Sequence, residues 1–273
     1  MDVKVIFSDL DGTLLNSSSA LSSENSAAIS EIVKRGILFV PTTGRTLAEI
    51  PLEVMNHKDI KYIIYSNGAG IYDKENDKRY ENLLSEEKIK EIIAILFDYD
   101  LLYLIHKDGF MYLDNDRYPA VDNYRALPVY KKLFTLIPEE YRINNYKEYL
   151  RGLNNAEMII MFYGNDERRE SELAERLSEI SKLHVTSSAV GNLEIVSDKA
   201  NKKNAISIFL DNLGLSRGEI ITVGDSTNDI EMLEFAERSF AVSGARDIVK
   251  ASASEVICGN DEHVAEYILK NIL

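Results

Sequence analysis

Both ends of the chain alternate between short β-branched runs and stretches of helical spacing, and the middle does not; that contrast limits the possible folds more than any composition figure. Val3 to Ser8 is apolar and β-branched. Ser22 to Lys34 follows with Ala27, Ala28, Ile29, Ile32 and Val33 at helical spacing, and Gly36 stops the helix. Ile37 to Thr42 reads as a second buried strand, Leu47 to Asn56 as a helix and Tyr62 to Tyr65 as a third strand. Near the other end come helix Asn201 to Leu213, strand Ile220 to Val223, helix Asn228 to Phe235, strands Ser239 to Val242 and Glu255 to Cys258, and helix Glu262 to Leu269. Strands that alternate with helices pair in parallel, because each crossover lays a helix on a sheet face. The ends therefore predict one doubly wound, mostly parallel α/β core over residues 1–83 and 188–273, interrupted by an inserted module over 84–187.

The inserted segment has an α+β texture: helix Glu86 to Phe97, strands Leu101 to His106 and Phe110 to Leu113, a Tyr-rich irregular stretch, strand Glu157 to Tyr163 and helix Glu167 to Ser181. Ten of the fifteen tyrosines fall in it: Tyr99, Tyr103, Tyr112, Tyr118, Tyr124, Tyr130, Tyr141, Tyr146, Tyr149 and Tyr163. The expectation is that they pack against the module's sheet; stacking on a ligand ring is the alternative. A length of 273 residues holds a core domain and a second, smaller one.

Lys and Arg number 31 against 45 Asp and Glu, a formal charge of −14 that repels nucleic acid and anionic lipid. An anionic ligand would need local attraction from a bound cation, a lysine and backbone N–H groups. Cys258 is the only cysteine, so no internal disulfide forms, and a reducing compartment is expected. No apolar run approaches the ~18 residues of a membrane span and Val3 to Phe7 is too short for a signal-peptide core, so the expected location is cytoplasmic. His57, His106, His184 and His263 show no metal-ligand spacing, and Lys131-Lys132 and Arg168-Arg169 read as solvated. There is no Gly-x-Ser-x-Gly turn, Walker lysine loop or dinucleotide-binding glycine fingerprint.

The first strand runs into Asp9-Leu10-Asp11-Gly12-Thr13. Asp-x-Asp-Gly-Thr arises by chance in a chain this long only about twice per thousand sequences, and open α/β sheets put their sites at the carboxyl ends of strands. Two carboxylates spaced two apart at a strand end can face one pocket, where their repulsion calls for a cation or a proton. An aspartate beside Mg²⁺ can attack phosphorus to form an acyl phosphate, while the second moves protons. Gly12 permits the turn and the Thr13 hydroxyl can support it.

Three later signals join it. Thr43-Gly44-Arg45 follows the second strand, where a hydroxyl and backbone N–H groups can hold a phosphoryl oxygen. Gly224-Asp225-Ser226-Thr227-Asn228-Asp229 follows Ile220 to Val223 and supplies two acidic groups four apart, suited to one direct metal ligand and one acceptor for metal-bound water. A lysine is wanted against the dispersed phosphoryl charge, and Lys199, Lys202 and Lys203 all stand near the start of the helix before the strand Ile220 to Val223. Ordinary capping turns and a solvated helix face are the bland alternatives.

With these residues in view the chain resembles the haloacid dehalogenase superfamily, in the Cof-like phosphatase group with a type IIB cap; Ser66-Asn67-Gly68-Ala69 and Asn228-Asp229-Ile230-Glu231-Met232-Leu233 also match that group. The resemblance implies an inserted α+β cap that sets substrate specificity, with Asp9 as nucleophile and Asp11 as general acid/base. It implies Mg²⁺ held by Asp9, the Asp11 backbone carbonyl and Asp225, with Asp229 in the metal surroundings. Thr43, Gly44, Lys202 and Asn228 would meet the phosphoryl group, Lys202 being selected by its spacing from Glu194-Ile195 with Ala205 three residues on. Lys203 stands where the group has glycine, and Val242-Ser243-Gly244-Ala245 replaces its Met-Gly-Asn-Ala. The implied activity is Mg-dependent hydrolysis of small phosphorylated metabolites through an aspartyl phosphate. The alternatives are a phosphomutase or phosphotransferase that shares the intermediate, and a noncatalytic sensor of phosphorylated ligands. Oligomeric state is not legible.

Overall fold

The computed structural model describes residues 3–99, 101–117, 137–163, 167–187 and 191–273. It divides into two compact units, one formed by Met1–Arg45, Glu49–Tyr80 and Lys202–Leu273, the other by Thr46–Ala48 and Glu81–Asn201. The first unit opens with β1 (Val5–Ser8), fully buried. The Ser22 hydroxyl then accepts from the Asn25 N–H to cap α1 (Ser23–Lys34), and Gly36, at φ +82°, lets the chain turn back. β2 (Leu38–Pro41) follows. The single helix expected over 47–56 is broken: a 3₁₀ turn (Leu47–Glu49) and the short α2 (Leu52–Met55) are separated by Pro51, which lacks an N–H and holds the residue before it out of helical geometry. β3 (Tyr62–Tyr65), β4 (Gly70–Asp73) and β5 (Lys78–Glu81) form an antiparallel sheet.

The second unit carries β6 (Leu84–Ser85), α3 (Glu86–Leu96), β7 (Leu102–Lys107), β8 (Phe110–Asp114), β9 (Arg142–Ile143), α4 (Tyr146–Arg151), β10 (Asn155–Ala156), β11 (Met158–Phe162), α5 (Glu167–Ser178), β12 (Leu183–Thr186) and β13 (Asn192–Ser197). Its main sheet runs β12-β13-β11-β7-β8-β9. One face, with Tyr103, Ile105, Ile159, Met161, Leu193 and Ile195, packs against Ile89, Ile92, Ile93 and Leu96 of α3 and Leu173 and Leu177 of α5. Tyr103, Tyr146 and Tyr163 are buried in this core and Tyr99, Tyr112 and Tyr149 pack against it, which accounts for those rings as packing; Tyr118, Tyr124, Tyr130 and Lys131-Lys132 lie outside the described residues. The end of the insert, read at residue 187, moves to Asn201, because β13 pairs antiparallel with β11 and β12 and so belongs to this sheet.

The chain returns to the first unit with α6 (Lys202–Leu213), β14 (Ile220–Gly224), α7 (Ile230–Phe235), β15 (Arg238–Val242), α8 (Asp247–Ser252), β16 (Glu255–Ile257) and α9 (Val264–Asn271). The strands form a five-stranded parallel sheet, β16-β15-β14-β1-β2, and a bridge from Thr42 to Ile64 leads on to β3. α6 docks through Ala205, Ile206, Phe209 and Leu210, spaced on one helical face, with Phe209 edge-on to Phe7 and Tyr62 at centroid distances of 5.5 and 5.1 Å. From β1 the chain moves outward through β2 in one direction and through β14, β15 and β16 in the other. The order therefore reverses between β1 and β14, where an open sheet leaves a crevice beyond its carboxyl ends. Ser8 is in register with Val223 and with Pro41, so the residues after all three strands emerge together.

Candidate active site

Asp9 leaves β1 with its backbone still fixed: its N–H donates to Val223 O at 2.9 Å. The chain then turns through Gly12 at φ +75°. A Cβ there would lie 2.5 Å from Asp225 Oδ2, so only glycine lets the turn pass the Asp225 carboxylate. Thr13 Oγ1 donates to Asp225 Oδ1 at 2.9 Å, which confirms the supporting hydroxyl and binds the first motif to the third. Gly12→Ala is expected to cost at least about 1–2 kcal/mol from the left-handed backbone alone. It is also expected to displace Asp225, so thermal melts should show the stability loss and a Mg²⁺ titration a weakened midpoint.

Lys202 opens α6 on the same face as Ala205, Ile206, Phe209 and Leu210, and this buries it to 1% exposure, while Lys203 is half-buried and Lys199 exposed. Its Nζ donates to Asp9 Oδ1 and to Asp229 Oδ1, each at 2.6 Å. The other Asp229 oxygen accepts from the backbone N–H groups of Asp225 and Ser226, each at 3.0 Å. Asp229 is thus fully buried with both oxygens engaged. Lys202, expected at the phosphoryl group, is seated on the Asp9 carboxylate itself.

Asp9, Asp225 and Asp229 offer carboxylate oxygens that all lie within 4.8 Å of one another. With all three ionised and one ammonium between them, the cluster carries a charge of −3 + 1 = −2. Burial pushes the Asp9 carboxyl well above the ordinary range, Lys202 pulls it back, and Asp229, Asp225 and Asp11 push it up again. Burial and Asp229 raise Asp225 to about 6, against the Thr13 hydrogen bond. Burial lowers the Lys202 ammonium, but Asp229 and Asp9 outweigh it and hold it above its usual value. An oxygen-only donor set with two uncompensated negative charges suits a hard divalent cation such as Mg²⁺, and the residues present fit it.

The Asp11 side chain is held by Arg45, whose Nε donates to Asp11 Oδ2 at 2.7 Å and Nη2 to Oδ1 at 2.6 Å. Arg45 Nη1 is held by Glu49 O at 2.7 Å. In Thr43-Gly44-Arg45 the Thr43 N–H donates to Ile64 O and the Arg45 N–H to Thr43 Oγ1, so two of the three backbone donors are spent. The Gly44 N–H has no partner among the described residues and the Thr43 hydroxyl keeps its proton to donate, so the tripeptide retains two donors for an oxyanion. Asn228 Nδ2 donates to Asn67 Oδ1 at 3.0 Å, while Asn228 Oδ1 is buried without a donor, a position suited to a water or hydroxyl hydrogen. Arg45 and Asn67 had no role assigned from sequence. The available signal for Asn67 is the Ser66-Asn67-Gly68-Ala69 turn, in which Ser66 and Asn67 both take left-handed backbone (φ +46° and +54°). Among the described residues, neither His57 nor His106 belongs to the converging cluster: His57 Nε2 lies at Ser26, and His106 is buried, with its pKa driven down to about 3 by burial.

A family model described as haloacid dehalogenase-like hydrolase matches residues 6–269. The chain is 30% identical to phosphatase YwpJ of Bacillus subtilis, over 99% of this chain and 100% of that protein. It is 28% identical to the 5-amino-6-(5-phospho-D-ribitylamino)uracil phosphatase YcsE of the same organism, over 96% of this chain and 92% of that one. Among solved structures, a haloacid dehalogenase-like hydrolase from B. subtilis superposes with a TM-score of 0.85 at 28% identity, covering 99% of this chain and 100% of its own.

Proposed function

This chain belongs to the haloacid dehalogenase-like hydrolases, and from that premise we propose that it hydrolyses small phosphorylated metabolites with Mg²⁺, through a phosphoryl group carried on Asp9. The observation that carries the reading is the convergence of Asp9, Asp225, Asp229 and Lys202 at the carboxyl ends of β1 and β14. Asp9, Asp225 and the Asp11 carbonyl would hold the metal, and Asp229 would accept from its water. When bound, the ion supplies positive charge against the phosphoryl oxygens.

The chain's own residues carry the rest. Lys202 orients the Asp9 carboxylate and adds a fixed positive charge beside the attacking oxygen. The Asp9 oxygen bonds to phosphorus as the bond to the leaving oxygen breaks, and Asp11 gives that oxygen its proton. The Thr43 hydroxyl and the Gly44 N–H are the donors for a phosphoryl oxygen. Water then attacks phosphorus, Asp11 takes its proton, and Asp9 is released with free phosphate.

Sugar phosphates, pyridoxal phosphate and flavin mononucleotide form the first substrate panel, and the phosphoribityl compound named for YcsE joins it as a phosphorylated polyol. The second unit, with its own sheet and core, would set the choice among them. Phosphate release from the panel and from p-nitrophenyl phosphate is expected with Mg²⁺, to vanish with a chelator and to return when Mg²⁺ is added back. Equal turnover before and after chelation would remove the metal from the reading.

A further inference from the structure

We infer that Arg45 is a positioning residue for the acid/base, fixing the plane and direction of the Asp11 carboxylate so that it can serve the leaving oxygen in one half-reaction and the water in the other. The inference rests on the function proposed above and adds a residue to it. Asp11 and Arg45 meet fork to fork, with Nε on Oδ2 at 2.7 Å and Nη2 on Oδ1 at 2.6 Å. Parallel pairs of this kind fix a carboxylate in both position and plane, which a lysine's single point charge cannot do. The Arg45 side chain is only 17% exposed, while that of Asp11 is 50% exposed. The buried partner is therefore the anchor and the exposed one is what it holds.

The anchor is itself tied at three points. Nη1 donates to Glu49 O at 2.7 Å, the Arg45 N–H donates to Thr43 Oγ1 at 3.1 Å, and the Arg45 carbonyl accepts from the Ser66 N–H at 2.8 Å. Two of these ties run to Thr43, whose hydroxyl is the donor proposed above for a phosphoryl oxygen, and to the Ser66 turn that carries Asn67. The guanidinium thus connects the phosphate-side donors to the proton carrier through a rigid loop. Without it an exposed aspartate on a tight turn has several rotamers, and proton transfer at a fixed site requires one.

The proton balance sets the test. In the first half-reaction the Asp9–phosphorus bond forms, the bond to the leaving oxygen breaks and Asp11 delivers a proton to that oxygen. In the second, the water–phosphorus bond forms, the Asp9–phosphorus bond breaks and the water's proton returns to Asp11. An alkyl phosphate needs the first proton. p-Nitrophenyl phosphate does not, because its leaving group departs as a stable anion.

Single-turnover phosphoryl transfer should fall about 10²-fold or more in Arg45→Ala with an alkyl phosphate such as glycerol phosphate, within the range of general acid catalysis, and several-fold less with p-nitrophenyl phosphate. Arg45→Lys should resemble Arg45→Ala, because it restores charge without the fork. In an Asp11→Asn background, Arg45→Ala should add little. An equal loss on both esters, rescue by lysine, or losses that multiply across the two backgrounds would each overturn the inference, the last by showing that Arg45 acts on the structure and not through Asp11. Wild-type Mg-dependent turnover together with an inactive Asp9→Asn keeps the parent reading separate: if those controls fail, the function is wrong, and if only the Arg45 cycle fails, the function stands without this residue.

Discussion

Asp9→Asn is expected to abolish turnover of p-nitrophenyl phosphate, by at least about 10⁴-fold, the scale on which removing a nucleophile acts in enzymes with covalent intermediates. The substitution keeps the shape of the side chain, so the fold should persist. An amide oxygen is a far weaker nucleophile than a carboxylate, and the variant also removes one of the three carboxylates that converge. Stability should move the other way. The Asp9 carboxyl is pushed up by burial and by three neighbouring acids, with Lys202 opposing. The folded protein therefore holds a proton there more tightly than the unfolded chain does, and stability falls as pH rises from the ordinary aspartate range through the raised value. Asparagine removes that slope. Melting temperatures without metal should thus be unchanged or higher in the variant above that range, and Lys202 keeps Asp229 as its partner at 2.6 Å. A clean preparation that is inactive yet no less stable identifies a residue kept for chemistry at the expense of the fold. Wild-type turnover in the variant would remove Asp9 from the mechanism.

The alternation at the two ends carries the core: every strand expected in the two outer thirds is present within two residues of its bounds, because short runs rich in β-branched and aromatic residues favour extended backbone on a half-buried or buried sheet. The expectation failed where local pattern does not determine the partner. The sequence pattern places residues 188–201 with the core and predicts no strand over Asn192–Ser197; only its long-range pairing with β11 and β12 assigns it to the second unit. The helix expected over 47–56 is interrupted at Pro51, whose missing N–H and fixed φ override the apolar spacing around it. Asp247–Ser252 went unread because one and a half turns give too little periodicity to register.

The site divides along the same line. Asp9, Asp225 and Asp229 were legible because each follows a strand in a motif, and strand register then brings the ends together. Lys202 was selected by resemblance, but the spacing 202, 205, 206, 209, 210 contains a physical reason: a lysine on the apolar face of a core helix is carried inward with it. The Asp11–Arg45 fork was not legible. The two residues stand 34 apart on different strand ends, and no local rule predicts which cation an exposed aspartate will meet.

The second large effect is expected from Lys202→Met, and it separates the roles of charge and packing at the same cluster. Methionine keeps most of the buried stem, so the cavity is small and the change is electrical. Removing one partner of a buried ion pair leaves uncompensated charge and costs on the order of 3–5 kcal/mol. Here two carboxylates lose their ammonium at once, Asp9 and Asp229, each 2.6 Å from Nζ. The loss should depend on pH with a fixed sign. Lys202 holds the Asp9 carboxyl down, so without it the folded-state value climbs further from the unfolded one. The folded protein then binds more protons than the unfolded chain over a wider span, and the stability deficit grows as pH rises through that span. Mg²⁺ should recover part of the melting temperature, since a ligand that binds only the folded state stabilises it by mass action and the cluster is now one charge more negative. Turnover should nevertheless stay about 10²- to 10³-fold below wild type with saturating metal, the range for removing one preorganised positive group from a reacting centre. Melts across pH with and without Mg²⁺, beside kcat at saturating metal, test each step. Full recovery of kcat by metal alone would mean that the lysine only balances charge in the resting protein, and its place beside the attacking oxygen would then be incidental to the reaction.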